Sequence, residues 1–512
     1  MSPAIPRPPA VGIDLGTTFS AVAHLDETGR PVTIVNAEGD LTTPSVVLFD
    51  GPDVIVGKEA VKAMGTESHR IADIAKRDMG KRAYRKIIDG REYPPEVVQA
   101  CILKKIRDDV ERRIGTVKKV VVTVPAFFDE VRRKATQDAG AIAGLEIIDI
   151  INEPTAAAVA FGFQQGFLNP QGEAARDLKV LVYDLGGGTF DVTLMDIKGR
   201  NFTAIATDGD VELGGRDFDS RIMNHVAEQF MRQYGADPRT DVDVAARMWR
   251  DCEDAKRTLS ARARASVAVD MGGKALRVEI TRDLFKELTH DLIDRTQFTT
   301  RQLLKSVGLD WGAVDRVLLV GGSSRMPMVK EMLTQLTGRP PDDSVSADEA
   351  VCHGAALRAG LILDTTSGVE PMFKVKNVNS HSLGVLGISR ETGMHRNVIL
   401  IPRNTALPVT AKRTFKTQKP NQKSVKVTIV EGESQSPDAC TTIGECVIKD
   451  LPPGLPALTP IDVYYHYAEN GRLSVSIKVP GTDVRVEQTI DRENGLSKEQ
   501  IDAWAEWVKN PS

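Results

Sequence analysis

Up to Leu363 the apolar residues of this chain recur at two spacings in turn, every second position over short stretches and about every 3.6 positions over longer ones. Beyond it the two-residue spacing dominates. Alternating strand and helix patterns predict layered α/β structure in the first part. Within it, Val317-Leu318-Leu319-Val320 reads as a short buried strand and Lys330 to Leu336 as the start of a helix. The segment Asp364 to Glu370, followed by Pro371, has little apolar content and predicts a boundary. Past it, Val425, Val427 and Ile429 alternate with polar neighbours, as do Ile461, Val463, Tyr465 and Tyr467, so the remainder is predicted to be mostly β. Glu469-Asn470-Gly471 predicts a hairpin turn, because Asn-Gly suits a type I′ turn and Leu473, Val475, Ile477 and Val479 resume the alternation. The last pattern, Ser497 to Val508, is an amphipathic helix with Ser497 as N-cap and Gln500 three residues on.

Two stretches share one plan. Val11-Gly12-Ile13-Asp14-Leu15-Gly16-Thr17-Thr18 and Val182-Tyr183-Asp184-Leu185-Gly186-Gly187-Gly188-Thr189 each run from an apolar strand through Asp-Leu-Gly into a threonine-bearing turn and a second strand. An internal repeat of this kind predicts two related halves that face each other.

Composition narrows the class. Over 512 residues, 66 Lys and Arg stand against 70 Asp and Glu, a net charge of -4, far from the basic excess that a nucleic-acid partner would select. No window approaches a membrane span, and Met1 to Ala10 is proline-rich without an apolar signal core, so neither membrane nor export is expected. The five cysteines include no C-x-x-C pair and read as reduced thiols.

A phosphate chain needs donors that approach closely. Gly16, Thr17 and Thr18, with Gly186, Gly187, Gly188 and Thr189, offer bare backbone N–H groups and hydroxyls at tight turns. Asp14 and Asp184 stand at matching strand ends, where a buried carboxylate needs a cation or the water held on one, and magnesium is the natural counter-charge. A single glycine turn more often merely closes a hairpin; two matched copies favour phosphate. Gly321, Gly322, Ser323 and Arg325 form a third glycine site after the strand at 317–320, where backbone can approach a flat ligand. Glu253, Lys256, Arg257 and Ser260 share one face of a predicted helix, a pattern that alone fits an exposed polar stripe. Gly51 to Lys58 misses the P-loop motif in spacing and in having Glu59 at the hydroxyl position, and neither H-E-x-x-H nor G-x-S-x-G occurs.

Ile13 to Thr18, Val124-Pro125-Ala126-Phe127-Phe128, Ile151 to Ala158, Asp184 to Asp191, Ala255 to Ser260 and Val320 to Arg325 together resemble the heat shock protein 70 chaperone family, of the DnaK type. The resemblance extends from Val11 to about Val508, and identifies the chain as a lidless or C-terminally truncated member. It implies an α/β fold: a flexible N-terminus (1–10), an actin-like, ribonuclease-H-like duplicated two-lobed ATPase domain (11–364), a linker (365–376), a β-sandwich peptide-binding domain (377–490) and a short C-terminal helix (491–512), lid absent. By the same resemblance, ATP is hydrolysed to ADP and phosphate, with magnesium and also potassium as ions, to control binding and release of extended apolar peptide segments of unfolded proteins in the cytoplasm. A J-domain co-chaperone and a nucleotide exchange factor would assist.

The family's pattern places Lys76 near the γ-phosphate, and Glu153, Asp184 and Asp191 around magnesium, its waters and the attacking water. Asp14 stands opposite, with Asp14 and Asp184 on the metal side, and Thr189 beside the γ-phosphate. Glu253, Lys256, Arg257 and Ser260 match an adenosine-binding helix, Ser323 and Arg325 the other wall, Gly214 and Gly215 a closing turn, and Asp348 a position near the ribose. Val385, Ile388, Phe415 and Val425 match a peptide pocket, although any sandwich buries such residues as ordinary core. The alternatives are a regulatory or scaffolding member with weak nucleotide–peptide coupling and, more remotely, a sugar kinase or a filament protein of the actin superfamily.

The chain also departs from the family. Lys374 and Lys376 interrupt an otherwise aliphatic linker, which predicts weaker docking because burying a lysine without a partner costs free energy. An absent lid predicts faster peptide dissociation. Phe19 and Phe127 replace tyrosines and Arg216 stands where acids are common, while Pro125 and Arg133, which match coupling positions, are retained.

Overall fold

Apolar runs that alternate with glycine turns form two similar sheets. The computed structural model describes residues 9–167, 177–366, 368, 371–389, 392–449, 451–469, 471–489 and 495–511. Most of the expected N-terminal segment (1–8), positions 367, 369 and 370 of the expected linker, Asn470 of the expected turn, and 490–494 lie outside the described residues.

In the first sheet Val11–Asp14 pairs antiparallel with Phe19–Leu25 and parallel with Lys119–Val124, flanked by Pro31–Thr33 and Glu146–Asn152. The second repeats the arrangement. Leu178–Leu185 pairs antiparallel with Phe190–Lys198 and parallel with Arg316–Val320, and Asn201–Asp210 continues the meander. The central strands are apolar on both faces, as strands covered by helices on both sides must be. One apolar cluster joins the two halves through the alanine-rich helices Glu153–Gln164 and Ala350–Thr366. They meet so closely that a Cβ on Gly354 would lie 1.9 Å from the Ala156 carbonyl oxygen.

The helix Ala350–Thr366 runs through Asp364, past the boundary that composition predicts. The hydroxyls of Thr365 and Thr366 donate to the carbonyls of Leu361 and Leu363, so residues that look like linker close the helix's own last turn.

The lysine-bearing segment is a strand. Lys374–Lys376 pairs parallel with Asn201–Thr203 as the edge of the second sheet, with Phe373 and Val375 buried and both lysines exposed. Strand alternation turns the ammonium groups to solvent, so the expected desolvation penalty does not arise. Just beyond, Thr155 Oγ1 donates to Asn377 Oδ1 at 3.0 Å.

The β part is a pair of four-stranded sheets. One orders His395–Ile401, Leu383–Ile388, Val425–Glu431 and Thr441–Ile448; the other Val409–Lys416, Pro460–Tyr467, Leu473–Lys478 and Arg485–Thr489. The alternating residues read from the sequence, among them Val427, Ile429, Val463, Tyr465, Val475 and Ile477, share one core between the sheets. Pro460–Tyr467 and Leu473–Lys478 form the expected hairpin, with Gly471 at φ 80.

The final helix, Lys498–Lys509, carries the predicted capping box: Gln500 N–H donates to Ser497 Oγ and Ser497 N–H to Gln500 Oε1. Its apolar face rests on the first half, where Trp507 lies near Phe49 and Tyr93, and the Arg91 guanidinium sits 4.8 Å from the Trp504 ring. Among the described residues, no helix is long and apolar enough to cross a membrane.

Candidate functional site

The two glycine turns face each other across a cleft of about 420 Å³. Gly16, Thr17, Thr18, Gly186, Gly187 and Thr189 line it. A Cβ on Gly187 would fall 2.2 Å from Thr18 Oγ1 and one on Gly188 2.3 Å from Thr17 Cγ2, so only glycine permits this approach. Gly214 and Gly215 back the second turn: the N–H groups of Gly215 and Arg216 donate to the carbonyls of Gly186 and Gly187 at 2.9 and 2.8 Å.

Strand ends carry the carboxylates. Asp14 ends Val11–Asp14 and accepts a hydrogen bond from Thr123 Oγ1 at 2.9 Å. Asp184 occupies the matching place in the second sheet and pairs in register with Asp191. Asp191 Oδ1 accepts from the Phe127 N–H at 2.9 Å, while its Oδ2 is buried with no hydrogen-bond partner. Glu153 opens the helix Glu153–Gln164 and meets Lys76 Nζ at 2.5 Å. Lys76 is 4% exposed and sits in a short helical turn that begins after Ile74, whose φ of 47 is strained for a β-branched residue.

Four carboxylates thus share the site with one lysine. Burial, then the neighbouring Glu153, pushes Asp14 up to about 7 and Asp191 up to about 8. Burial, followed by Glu153, Asp191 and Asp14, holds Asp184 well above its ordinary value. Such a group calls for a cation. Yet among the described residues no cluster of three or more His, Cys, Asp or Glu side chains converges on a metal position, so an ion here would need further oxygens from hydroxyls, carbonyls, water or phosphate.

On the other side of the cleft the helix Val242–Ala261 presents Glu253, Lys256, Arg257 and Ser260. Lys256 Nζ lies 2.8 Å from Asp219 and donates to the Gly215 carbonyl at 2.9 Å. Arg257 bonds Glu253 at 2.6 Å and lies 4.8 Å from the Phe19 ring centre. Gly321, Gly322, Ser323 and Arg325 line the cleft with Asp348, which pairs with Arg325 at 2.7 Å. The polar stripe is therefore part of the cleft rather than a solvated face.

Several cleft residues carry no pattern in the sequence. Arg77 Nε donates to the Gly188 carbonyl at 2.8 Å and its Nη2 meets Asp217 at 2.5 Å, tying the first half to the second turn. Arg216 is stacked 3.5 Å over the Trp249 ring and reaches across to Asp73 at 2.9 Å. Thr123 and Asp219 were equally silent, and only their nearness to Pro125 and to the Gly214-Gly215 turn marks them.

The four residues matched to a peptide pocket are not equivalent. Val385 is 3% exposed and belongs to the sandwich core, Phe415 and Val425 are half-buried against it, and Ile388 is 46% exposed.

Comparison with known proteins gives the relatives of the whole chain. The family model described as Hsp70 protein matches residues 10–510. Chaperone protein DnaK from one strain of Halobacterium salinarum is 40% identical over 505 residues, covering 97% of this chain and 77% of the relative, and DnaK from a second strain gives the same figures.

Proposed function

This chain belongs to the Hsp70 family, and from that membership we propose that its two matched glycine–threonine turns grip the phosphates of ATP while the sandwich holds an extended apolar peptide. It is an ATP-dependent molecular chaperone and an ATPase. The observation that carries the detailed reading is the direct apposition of the two turns at one cleft that Asp14, Glu153, Asp184 and Lys76 also line. The matched topology of the two sheets supports an actin-like, ribonuclease-H-like duplication. A sugar kinase or a filament protein would have no use for the appended sandwich.

In this reading the N–H groups and hydroxyls of Gly16 to Thr18 and Gly187 to Thr189 hold the triphosphate, and the adenosine lies between the face of Glu253, Lys256, Arg257 and Ser260 and the Gly321 to Arg325 turn. Asp14 and Asp184 would hold magnesium, and potassium beside it; the surplus of carboxylates fits that charge, and the ion when bound would neutralise charge on the phosphates. Lys76 stabilises the charge that develops on the transferred phosphoryl, and Glu153 fixes the lysine through their ion pair. Glu153, Asp184 and Asp191 would arrange the attacking water, with no single one of them assigned as its base, and Thr189 would stand beside the γ-phosphate. J-domain co-chaperones and an exchange factor are the partners proposed.

One experiment tests the whole. ATP turnover should rise when an unfolded apolar peptide is added; Thr189→Ala should lower turnover with or without peptide, and Val425→Phe should remove the peptide-dependent increment. Absence of stimulation in the unaltered chain would instead favour a regulatory role.

Arg216 gives a second expectation. Its pair with the buried Asp73 links the two halves, and its stacking on Trp249, in its own half, holds the guanidinium in place for that pair. Ion pair and cation–π contact together contribute about 1–2 kcal/mol, so Arg216→Ala should speed nucleotide release roughly tenfold. Stopped-flow release of a fluorescent ADP analogue would read this, and an unchanged rate would contradict it.

A further inference from the structure

Where the first half meets the sandwich, two glutamates are forced together. Glu130 opens the helix Glu130–Ile142 and Glu431 ends the strand Val425–Glu431. The Glu130 N–H donates to Glu431 Oε2 at 3.4 Å, Glu431 is 5% exposed, and Glu130 Oε2 is buried without a hydrogen-bond partner.

The surroundings offset the effect of burial only in part. Arg133, one of three cations on the same helix, directs its guanidinium to the carbonyls of Phe128 and Ala126 and to Asn152 Oδ1. Asp129 adds negative charge on the helix side, although Arg132 holds it at 2.5 Å. From the sandwich, Arg472, the Leu473 N–H and Tyr467 face the pair. His381 stacks on Phe127, with Nε2 3.0 Å from the Phe127 carbonyl, near Asp129, Glu433 and Arg403.

We propose that Glu130 and Glu431 make docking of the sandwich on the first half pH-dependent, the docked interface retaining a proton on the carboxyl pair that it must lose as the medium turns alkaline. Burial, opposed by Arg133, the Leu473 N–H and Arg472, pushes Glu130 from 4.5 up to about 7. Burial, then Asp129 and Glu130, holds Glu431 well above its ordinary value. Separated and hydrated, both would ionise near 4.5. From there up to the raised docked values the docked form binds more protons, so rising pH shifts the equilibrium toward undocking, by up to about tenfold per pH unit for each proton released. His381 works in the opposite sense. Burial keeps it neutral when docked, so its protonation below 6.5 also favours separation, and the range above 6.5 isolates the glutamates.

Hydrogen exchange of the interface amides in the full chain measures this equilibrium without reference to ATP hydrolysis, so its outcome is separate from that of the nucleotide reading. From pH 6.5 to 8.5, after correction for intrinsic exchange, protection of the amides around Glu130 and Leu473 should fall in the unaltered chain. In Glu431→Gln, which stays neutral and can donate, it should stay higher and fall less steeply, keeping only the slope that Glu130 contributes. His381→Gln should keep the slope above pH 7. Flat protection in the unaltered chain, or an unchanged slope in Glu431→Gln, overturns the proposal. Should Glu431→Gln fail to fold by circular dichroism, Glu130→Gln is judged by the same two criteria.

Discussion

Replacing Lys76 with alanine should slow ATP hydrolysis about a hundredfold while ADP still binds. The residue is buried, its ammonium is 2.5 Å from Glu153, and it acts on Asp14, Asp184 and Asp191 as the shared opposing charge. A preorganised charge in a water-poor site is worth on the order of 3 kcal/mol in the transition state, which corresponds to about a hundredfold in rate. Ground-state affinity should change less, because the turns and the adenosine walls provide most of the contacts with nucleotide. The comparison is a single-turnover rate with saturating ATP beside an ADP titration. A rate within about threefold of the unaltered chain, roughly 0.7 kcal/mol, would remove Lys76 from the chemistry. A collapse of ADP binding would mark it as a structural counter-ion instead.

The largest effect on stability should come from Gly354→Val. A Cβ there would lie 1.9 Å from the Ala156 carbonyl oxygen and 2.7 Å from its Cα, both backbone atoms of a buried helix that cannot move aside. The same helix is tight on its other side, where a Cβ on Gly12 would reach 2.1 Å from the Ala356 nitrogen. Overpacking commonly costs about 1–3 kcal/mol and more where backbone must shift, so a loss of about 3 kcal/mol or more is expected. Because chains with several cores seldom unfold in one step, the measurement is the thermal transition that ADP shifts, not one global midpoint. Valine tolerated without a downward shift would mean that the two helices are less closely held than they stand here.

Much of this was legible in the sequence for local reasons. The twin Asp-Leu-Gly turns, the strand before Gly321, the alternation around Val463 and Val475 and the Ser497–Gln500 cap are each written within a dozen residues, and each recurs in the structure. What escaped depends on distance along the chain. Arg216 and Asp73 are 143 positions apart and Glu130 and Glu431 are 301, so nothing in either neighbourhood announces the pairing. Lys76 lies in a stretch without periodicity, and only family resemblance singled it out. The reading of the linker failed for a different reason. Counting lysines gave an unfavourable charge, whereas the strand that carries them sends residues to opposite faces, so Val375 is buried and its neighbours are not.

That short strand between the domains has a cost when it leaves. While Lys374–Lys376 is paired, the backbone groups of Asn201–Thr203 on that side are occupied. Peeled away, they become an open flank, able to recruit any extended polypeptide nearby, including another copy of this chain. Any motion that freed this strand would therefore uncover a self-adhesive border on a protein whose task is to keep other chains from sticking.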